Sequence, residues 1–361
     1  MLSIKALSVV CTSTALLVLG VNEIASASSF NPTPVFDKVA NYTTTITGDN
    51  NLADIYYPNP TDLKTSNYSF PVALLLQGAL VDKSNYSNYA QQVARYGFVV
   101  VVPNSKRIAP IFGEALLPQT SQIDTALQQI VVENKNLSSP IVGLLDTEKV
   151  GLLGHSLGSA VGLSAIGNLC VTTTLCPGSF SRPKQIVAGA FYGGGLRDQN
   201  DVYLPINNDG IPVALLQGNR DGRALPFRAS LTYDKIKNPP AALINIKGAN
   251  HFSITNTNNP AGAIPDPINY TLNQDVAIET IARWSGLFLR ASILNDQDAF
   301  NYVYYTGDAT DSNVTVESKR VPESASTVAP LGILFTYFTI TQLRKRINES
   351  KRHYDLRIDK K

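Results

Sequence analysis

Charge is scarce in this sequence: Asp, Glu, Lys and Arg make up 16% of its 361 residues, and the formal net charge is only +2. A chain so near neutrality asks for no nucleic acid as partner. Much of the basic excess also sits in a C-terminal tail that begins at Arg344. The 44% hydrophobic content supplies a sizeable core and excludes a disordered chain. Cysteine is rarer still, with Cys11, Cys170 and Cys176 alone, and no CxxC or spaced histidine pair accompanies them, so the usual spacing of a zinc site is missing. Histidine occurs at His155, His251 and His353 only, which narrows any search for a general base. There is no internal repeat.

Long apolar runs are also few, and the two present lie near the ends. Lys5, an uncharged apolar run over residues 6–21 and the small residues Ala25-Ser26-Ala27 follow the order of a cleaved secretory signal, assigned to residues 1–27. A retained anchor or a buried helix is the alternative. Export makes a disulfide between Cys170 and Cys176 the expected state of that close pair, with free buried thiols as the alternative. The second run, residues 328–343, would span about 24 Å as a helix, short of the roughly 30 Å hydrocarbon core. Arg344-Lys345-Arg346 follows it at once, a flank that holds its end of a span in the cytoplasm; an amphipathic helix of the domain is the other reading.

Between these ends, strand-like and helix-like stretches alternate. Short apolar runs rich in β-branched residues fall at residues 72–76, 98–102, 150–153, 186–191, 213–216 and 242–246. They suit strands buried on both faces. Amphipathic stretches at 88–96, 123–132, 160–169 and 275–291 lie between or after them. The alternation predicts an α/β fold, a mostly parallel central sheet with helices on both faces, over residues 28–295. Residues 296–327 are polar and predict a linker, with Tyr302, Tyr304 and Tyr305 as points where part could pack back. A sorting or anchor segment over 328–346 and a basic tail over 347–361 complete the division.

Chemistry concentrates at Gly154-His155-Ser156-Leu157-Gly158. A G-x-S-x-G pattern is weak alone, but this one follows a strand-like run and opens a helix-like one. That is the setting of a nucleophile elbow, where a strained turn lifts the serine hydroxyl clear of the sheet. A serine needs a base. His155 should point away from its neighbour and His353 lies in the tail, which leaves His251, in a loop after a late strand. No lysine follows Ser156 at helical spacing. The acid that orients the base should fall between them, and Asp221 opens a loop at a strand end. Its competitors Asp198, Asp201, Asp209 and Asp234 follow an earlier strand, precede a strand or read as helical. The amide of Leu157 and, from the loop Gln77-Gly78-Ala79-Leu80, that of Ala79 are the expected oxyanion donors.

These elements, in this order, resemble the α/β-hydrolase superfamily over residues 54–290, and within it the dienelactone hydrolase, chlorophyllase and polyester hydrolase group. The glycine loop lacks the HGGG pattern of one esterase group. The resemblance implies a serine carboxylic-ester hydrolase working through an acyl-enzyme on a small-molecule or lipid-like ester, with no metal or organic cofactor. A thioesterase, amidase or lipase would use the same residues, and an exported surface-binding protein could keep the fold without turnover. Val321-Pro322-Glu323-Ser324, the second apolar run and the basic cluster resemble a PEP-CTERM sorting signal, without its second proline and with a longer tail. That resemblance implies a membrane processing enzyme as partner and an exported location: periplasmic, cell-surface or extracellular.

Overall fold

A computed structural model describes residues 32–59, 68–109 and 113–320. The expected signal segment and the expected sorting segment lie outside the described residues. Among the described residues no helix is long and apolar enough to cross a membrane.

A nine-stranded sheet forms the centre, in the order β1-β2-β4-β3-β7-β8-β9-β10-β11. Its strands are β1 (Val39–Thr45), β2 (Leu52–Pro58), β3 (Phe70–Leu76), β4 (Val99–Pro103), β7 (Leu145–His155), β8 (Ile186–Tyr192), β9 (Val213–Gly218), β10 (Ala241–Ile246) and β11 (Val314–Lys319). From β4 across to β10 all neighbours are parallel, while β1, β2 and β11 pair antiparallel at the two edges. The parallel strands are the apolar runs read from the sequence. β3 and β4 are buried along their whole length, as strands covered on both faces must be.

Alternation along each strand divides the core. Val72, Leu74, Val150, Leu152, Val213 and Leu215 face one layer with Ile123 and Ile130 of α2 (Ser121–Lys135), Val161 and Leu163 of α3 (Leu157–Gly167) and Tyr233 of α4 (Pro226–Lys235). The opposite face is covered by α1 (Ser87–Ala94) and α5 (Gln274–Ile293), where a side chain at Gly151 would meet Leu289 and Ile293. At about 25 cal/mol per Å² of buried apolar surface, this two-sided burial is the dominant stabilising term.

The chain runs from β3 outward to β4, then returns to the other side of β3 as β7. This reversal opens a crevice at the carboxyl ends of β3 and β7, where open α/β sheets place their sites. The loop after β3 and the turn after β7 carry Ala79 and Ser156 to that crevice.

Three stretches differ from the sequence reading. The half-exposed strand β1 and its partner β2 start the sheet before the first expected strand. A small antiparallel pair, β5 (Lys106–Ala109) with β6 (Gly113–Leu116), lies in a stretch read as neither strand nor helix. The expected linker from residue 296 is folded through residue 320. Short helical pieces Gln297–Asn301 and Gly307–Thr310 flank a π-helical turn at Tyr302–Thr306, and β11 then joins β10. The reason lies in one carboxylate. Asp311 accepts from the indole Nε1 of Trp284 at 2.9 Å and from Arg283 Nη1 at 2.9 Å, while the Tyr302 ring packs 5.1 Å from the indole. Polar composition reads as a linker, but here the polar groups fasten the segment to α5.

Replacing Asp311 by Ala strands a buried indole N–H and takes from Arg283 one of its two carboxylate partners, leaving Glu279. The substitution should cost about 3 kcal/mol of stability, measured as a lowered midpoint in urea unfolding. An unchanged midpoint would mean that the C-terminal segment is not fastened by this carboxylate.

Candidate active site

β7 ends at His155 and α3 begins at Leu157, so Ser156 alone makes the turn. Its backbone takes φ 54° and ψ −116°, a strained conformation for a residue with a side chain. The turn brings α3 hard against the end of β3: a Cβ at Gly158 would lie 2.1 Å from the carbonyl oxygen of Leu76. Only glycine fits there. The strain is held by the Ser156 amide donating to Tyr192 O at 3.0 Å and by Ser159 Oγ donating to the same carbonyl at 2.9 Å. Leu157 heads α3, so its amide has no intrahelical acceptor and lies beside the serine.

Ser156, His251 and Asp221 meet at this point although they are far apart in sequence. Ser156 Oγ is 2.8 Å from His251 Nε2, and His251 Nδ1 is 2.8 Å from Asp221 Oδ2. Asp221 is 1% exposed and His251 4%, so both operate out of water, while Ser156 is half-buried at the crevice. The carboxylate is well supplied with donors. Oδ1 accepts the amides of Arg223 at 2.9 Å and Ala224 at 2.7 Å, and Oδ2 accepts Gln217 Nε2 at 3.3 Å. A buried carboxylate with these partners accepts and does not donate. It therefore fixes the proton of His251 on Nδ1 and leaves Nε2 to accept from the serine hydroxyl.

A second histidine lies behind the first. His155 is fully buried, and its ring does not bond Ser156, in keeping with its expected direction. Its Nε2 is 2.9 Å from the carbonyl of His251, which can only accept, so Nε2 carries the proton. Nδ1 then accepts the Tyr86 hydroxyl at 2.9 Å, and the Tyr86 oxygen accepts the Gly78 amide at 2.8 Å. One chain of hydrogen bonds thus ties the loop after β3 to the backbone of His251. A Cβ at Gly78 would lie 2.7 Å from His155 Nδ1, so this position too must be glycine. With the Gly78 amide committed to Tyr86, Ala79 is left at the wall of the cleft beside Ser156.

Asp266 was not among the candidates from the sequence. It is 5% exposed. Its Oδ2 accepts the His251 amide at 2.8 Å, and its Oδ1 accepts the amides of Gly222 at 3.1 Å and Ile268 at 2.8 Å. It fastens the loop of His251 to the residue following Asp221. No local pattern marks it, because it lies beyond the histidine and touches no side chain of the relay.

Two cavities open on Ser156 and His251. The larger, about 410 Å³, extends beneath the Cys170–Cys176 loop and past Arg197, Tyr203 and Arg228. The smaller, about 60 Å³, is bounded by Ala79, Leu80, Val81, Phe252 and Ile264. Arg223 lines both. The two cysteines are disulfide-bonded, with Cα atoms 5.4 Å apart, and their loop delivers Thr172, Thr174 and Leu175 to the larger cavity. Among the described residues no group of three His, Cys, Asp or Glu side chains could hold a metal.

The family model for chlorophyllase matches residues 32–174. The match begins where the described fold begins. It takes in the loop after β3, the turn at Ser156 and most of the disulfide loop, and it ends before Asp221 and His251. Together with the mostly parallel sheet it identifies the fold as that of the α/β-hydrolases and points to a hydrolase of that kind. No curated protein matches the chain.

Burial, aided by the nearby His251, holds the pKa of His155 well below the ordinary 6.5. The folded chain therefore keeps His155 neutral where the unfolded chain takes up a proton. Its contribution to stability is complete above pH 6.5 and is lost progressively as the pH falls below it. Between pH 6.5 and pH 5 the parent protein should lose up to about 1.4 kcal/mol per pH unit more than His155→Gln, read from urea unfolding. Equal slopes for the two proteins would show that His155 is not buried as the neutral form.

Proposed function

We propose that this protein is a serine hydrolase of carboxylic esters, with Ser156 as nucleophile, His251 as general base and Asp221 as the carboxylate that orients the base. The observation that carries this reading is the pair of 2.8 Å hydrogen bonds linking Ser156 Oγ, His251 and Asp221 at a strained strand-to-helix turn. Structural turns have no need of a buried imidazole on a serine hydroxyl, and nucleophilic catalysis does.

In the first step Ser156 Oγ attacks the ester carbonyl as its proton passes to His251 Nε2. The tetrahedral oxyanion is held by the amides of Leu157 and Ala79, which act before any water can reorganise. The imidazolium then protonates the departing alkoxide, leaving an acyl-enzyme. Water enters, gives its proton to His251 and attacks the acyl carbonyl; the serine leaves with that proton restored. Asp221 stabilises the imidazolium in both steps without taking its proton. Protons and the acyl group are all that move, so the cycle calls for no cofactor.

The same reading includes export. A disulfide in a short loop suits an oxidising compartment, in keeping with the signal-like segment over residues 1–27. A membrane processing enzyme acting at the C-terminal segment is the proposed partner.

Hydrolysis of p-nitrophenyl esters by the full chain and its Ser156→Ala variant tests the assignment. The variant should lose roughly 10⁴-fold or more in kcat and should no longer be labelled by an organophosphate probe. Hydrolysis that persists in the variant would rule out Ser156 as nucleophile. A parent protein that neither turns over esters nor takes up the probe would favour a binding role on this fold.

A further inference from the structure

The two cavities beside Ser156 differ in more than size. The smaller has Leu80, Val81, Phe252 and Ile264 in its wall, shares Arg223 with the larger, and suits a short alkyl group. The larger is lined by Arg197, Arg223 and Arg228. Their carboxylate neighbours in its wall are Asp198 and Asp201, and both are engaged. Asp201 pairs with Arg197, and Asp198 Oδ1 accepts the amides of Asn200 at 2.8 Å and Val202 at 2.9 Å.

Arg223 and Arg228 have no carboxylate partner among the described residues. The guanidinium of Arg228 stands 5.9 Å from the centre of the Phe227 ring, a weak contact that leaves its donors free. Arg228 belongs to the first turn of α4, which contains no acidic residue and whose preceding residue, Leu225, supplies no side-chain cap. The positive end of that helix therefore adds to the same field. The position of Arg223 is set by the relay itself, since its amide is bonded to Asp221 Oδ1. Its guanidinium can swing only about a backbone fixed beside the reacting serine.

Two arginines without a carboxylate partner, in a cleft whose one unpaired carboxylate is Asp198, leave an excess of positive charge next to the proposed nucleophile, and such groups recognise a planar anion through paired N–H donors. We infer that the substrate is a carboxylate-bearing ester, one side of the ester bond being a short alkyl group and the other carrying the anion into the cavity lined by Arg223 and Arg228. This inference rests on the serine-hydrolase reading and gives it a substrate class. A long neutral lipid ester would have to lay its chain across the guanidinium groups and desolvate them without exchange.

Two matched pairs of esters test this in either orientation. Monomethyl glutarate against methyl valerate places the anion on the acyl side. 4-Acetoxybenzoate against 4-acetoxybenzamide places it on the alcohol side. In one pair the parent protein should prefer the anionic member by about tenfold or more in kcat/KM, the scale of one lost charge-assisted contact. The preference should shrink towards unity in Arg223→Gln and Arg228→Gln, and it should weaken with added salt. Because each preference is a ratio measured on one protein sample, partial loss of folded enzyme cancels from it. No preference for the anion in either pair would overturn the inference, as would a preference that survives both substitutions. In both of those cases esters are still hydrolysed and the serine-hydrolase reading stands. Absence of hydrolysis of all four esters would overturn the inference alone; the serine-hydrolase reading would then stand or fall with p-nitrophenyl ester turnover and organophosphate labelling of Ser156.

Discussion

The turn at Ser156 governs the rest of this molecule. A residue with a side chain is held at positive φ between a buried strand and a helix, and that conformation persists only because its surroundings over-determine it. β7 lies between β3 and β8, so the turn emerges inside the sheet, not at an edge. α3 must then start close enough to β3 that Gly158 nearly touches the Leu76 carbonyl. Once this approach is made, the amide of Leu157 and the hydroxyl of Ser156 are fixed relative to the end of β3. The loop bearing Ala79 follows from there without further freedom.

The proposed base and acid come from the other half of the sheet, and two buried polar links hold them to the turn. His155 joins the β3 loop, through Tyr86, to the His251 carbonyl; Asp266 joins the His251 amide to the loop of Asp221. The backbone of His251 is thus gripped on both sides of its own Cα, which leaves its ring little room to depart from Ser156. Such groups are costly when unpaired, so a network satisfied throughout is more rigid than the same volume of apolar packing. It is notable that the tautomers follow from neighbours alone. A carbonyl sets the proton of His155 and a carboxylate sets that of His251, in opposite senses.

Local pattern and tertiary consequence separate what was legible in the sequence from what was not. The parallel strands were readable because burial on both faces makes each one a continuous apolar run, and the three residues that meet at the proposed site, Ser156, Asp221 and His251, could be picked out because each follows such a run. Tyr86 and Asp266 were not, since each acts on a partner far along the chain and has an ordinary neighbourhood. β1 was missed because VANYTTT is half exposed and offers little apolar contrast. The C-terminal strand was missed for a related reason: Val314 and Val316 are the whole of its apolar signal, and its attachment depends on Asp311, whose polarity reads as solvent-facing. Buried strands and the residues that follow them were more legible than packing at the edges.

In the proposed site, the loop after β9 would unite two tasks that are usually distributed. Asp221 turns its carboxylate to His251, and two residues later Arg223 faces both cavities. The amide of that arginine is one of the donors that hold the carboxylate. Opposite charges so close along the chain would ordinarily neutralise one another, but the buried Asp221 is already surrounded by donors and Arg223 is exposed. The carboxylate is therefore committed to His251, and the Arg223 guanidinium has no carboxylate partner among the described residues. A substrate anion that reached Arg223 would bear on the same short loop that orients His251. Binding and the proposed proton transfer would then share one set of backbone hydrogen bonds, so that recognition of the charge and alignment of His251 would be coupled by covalent proximity alone.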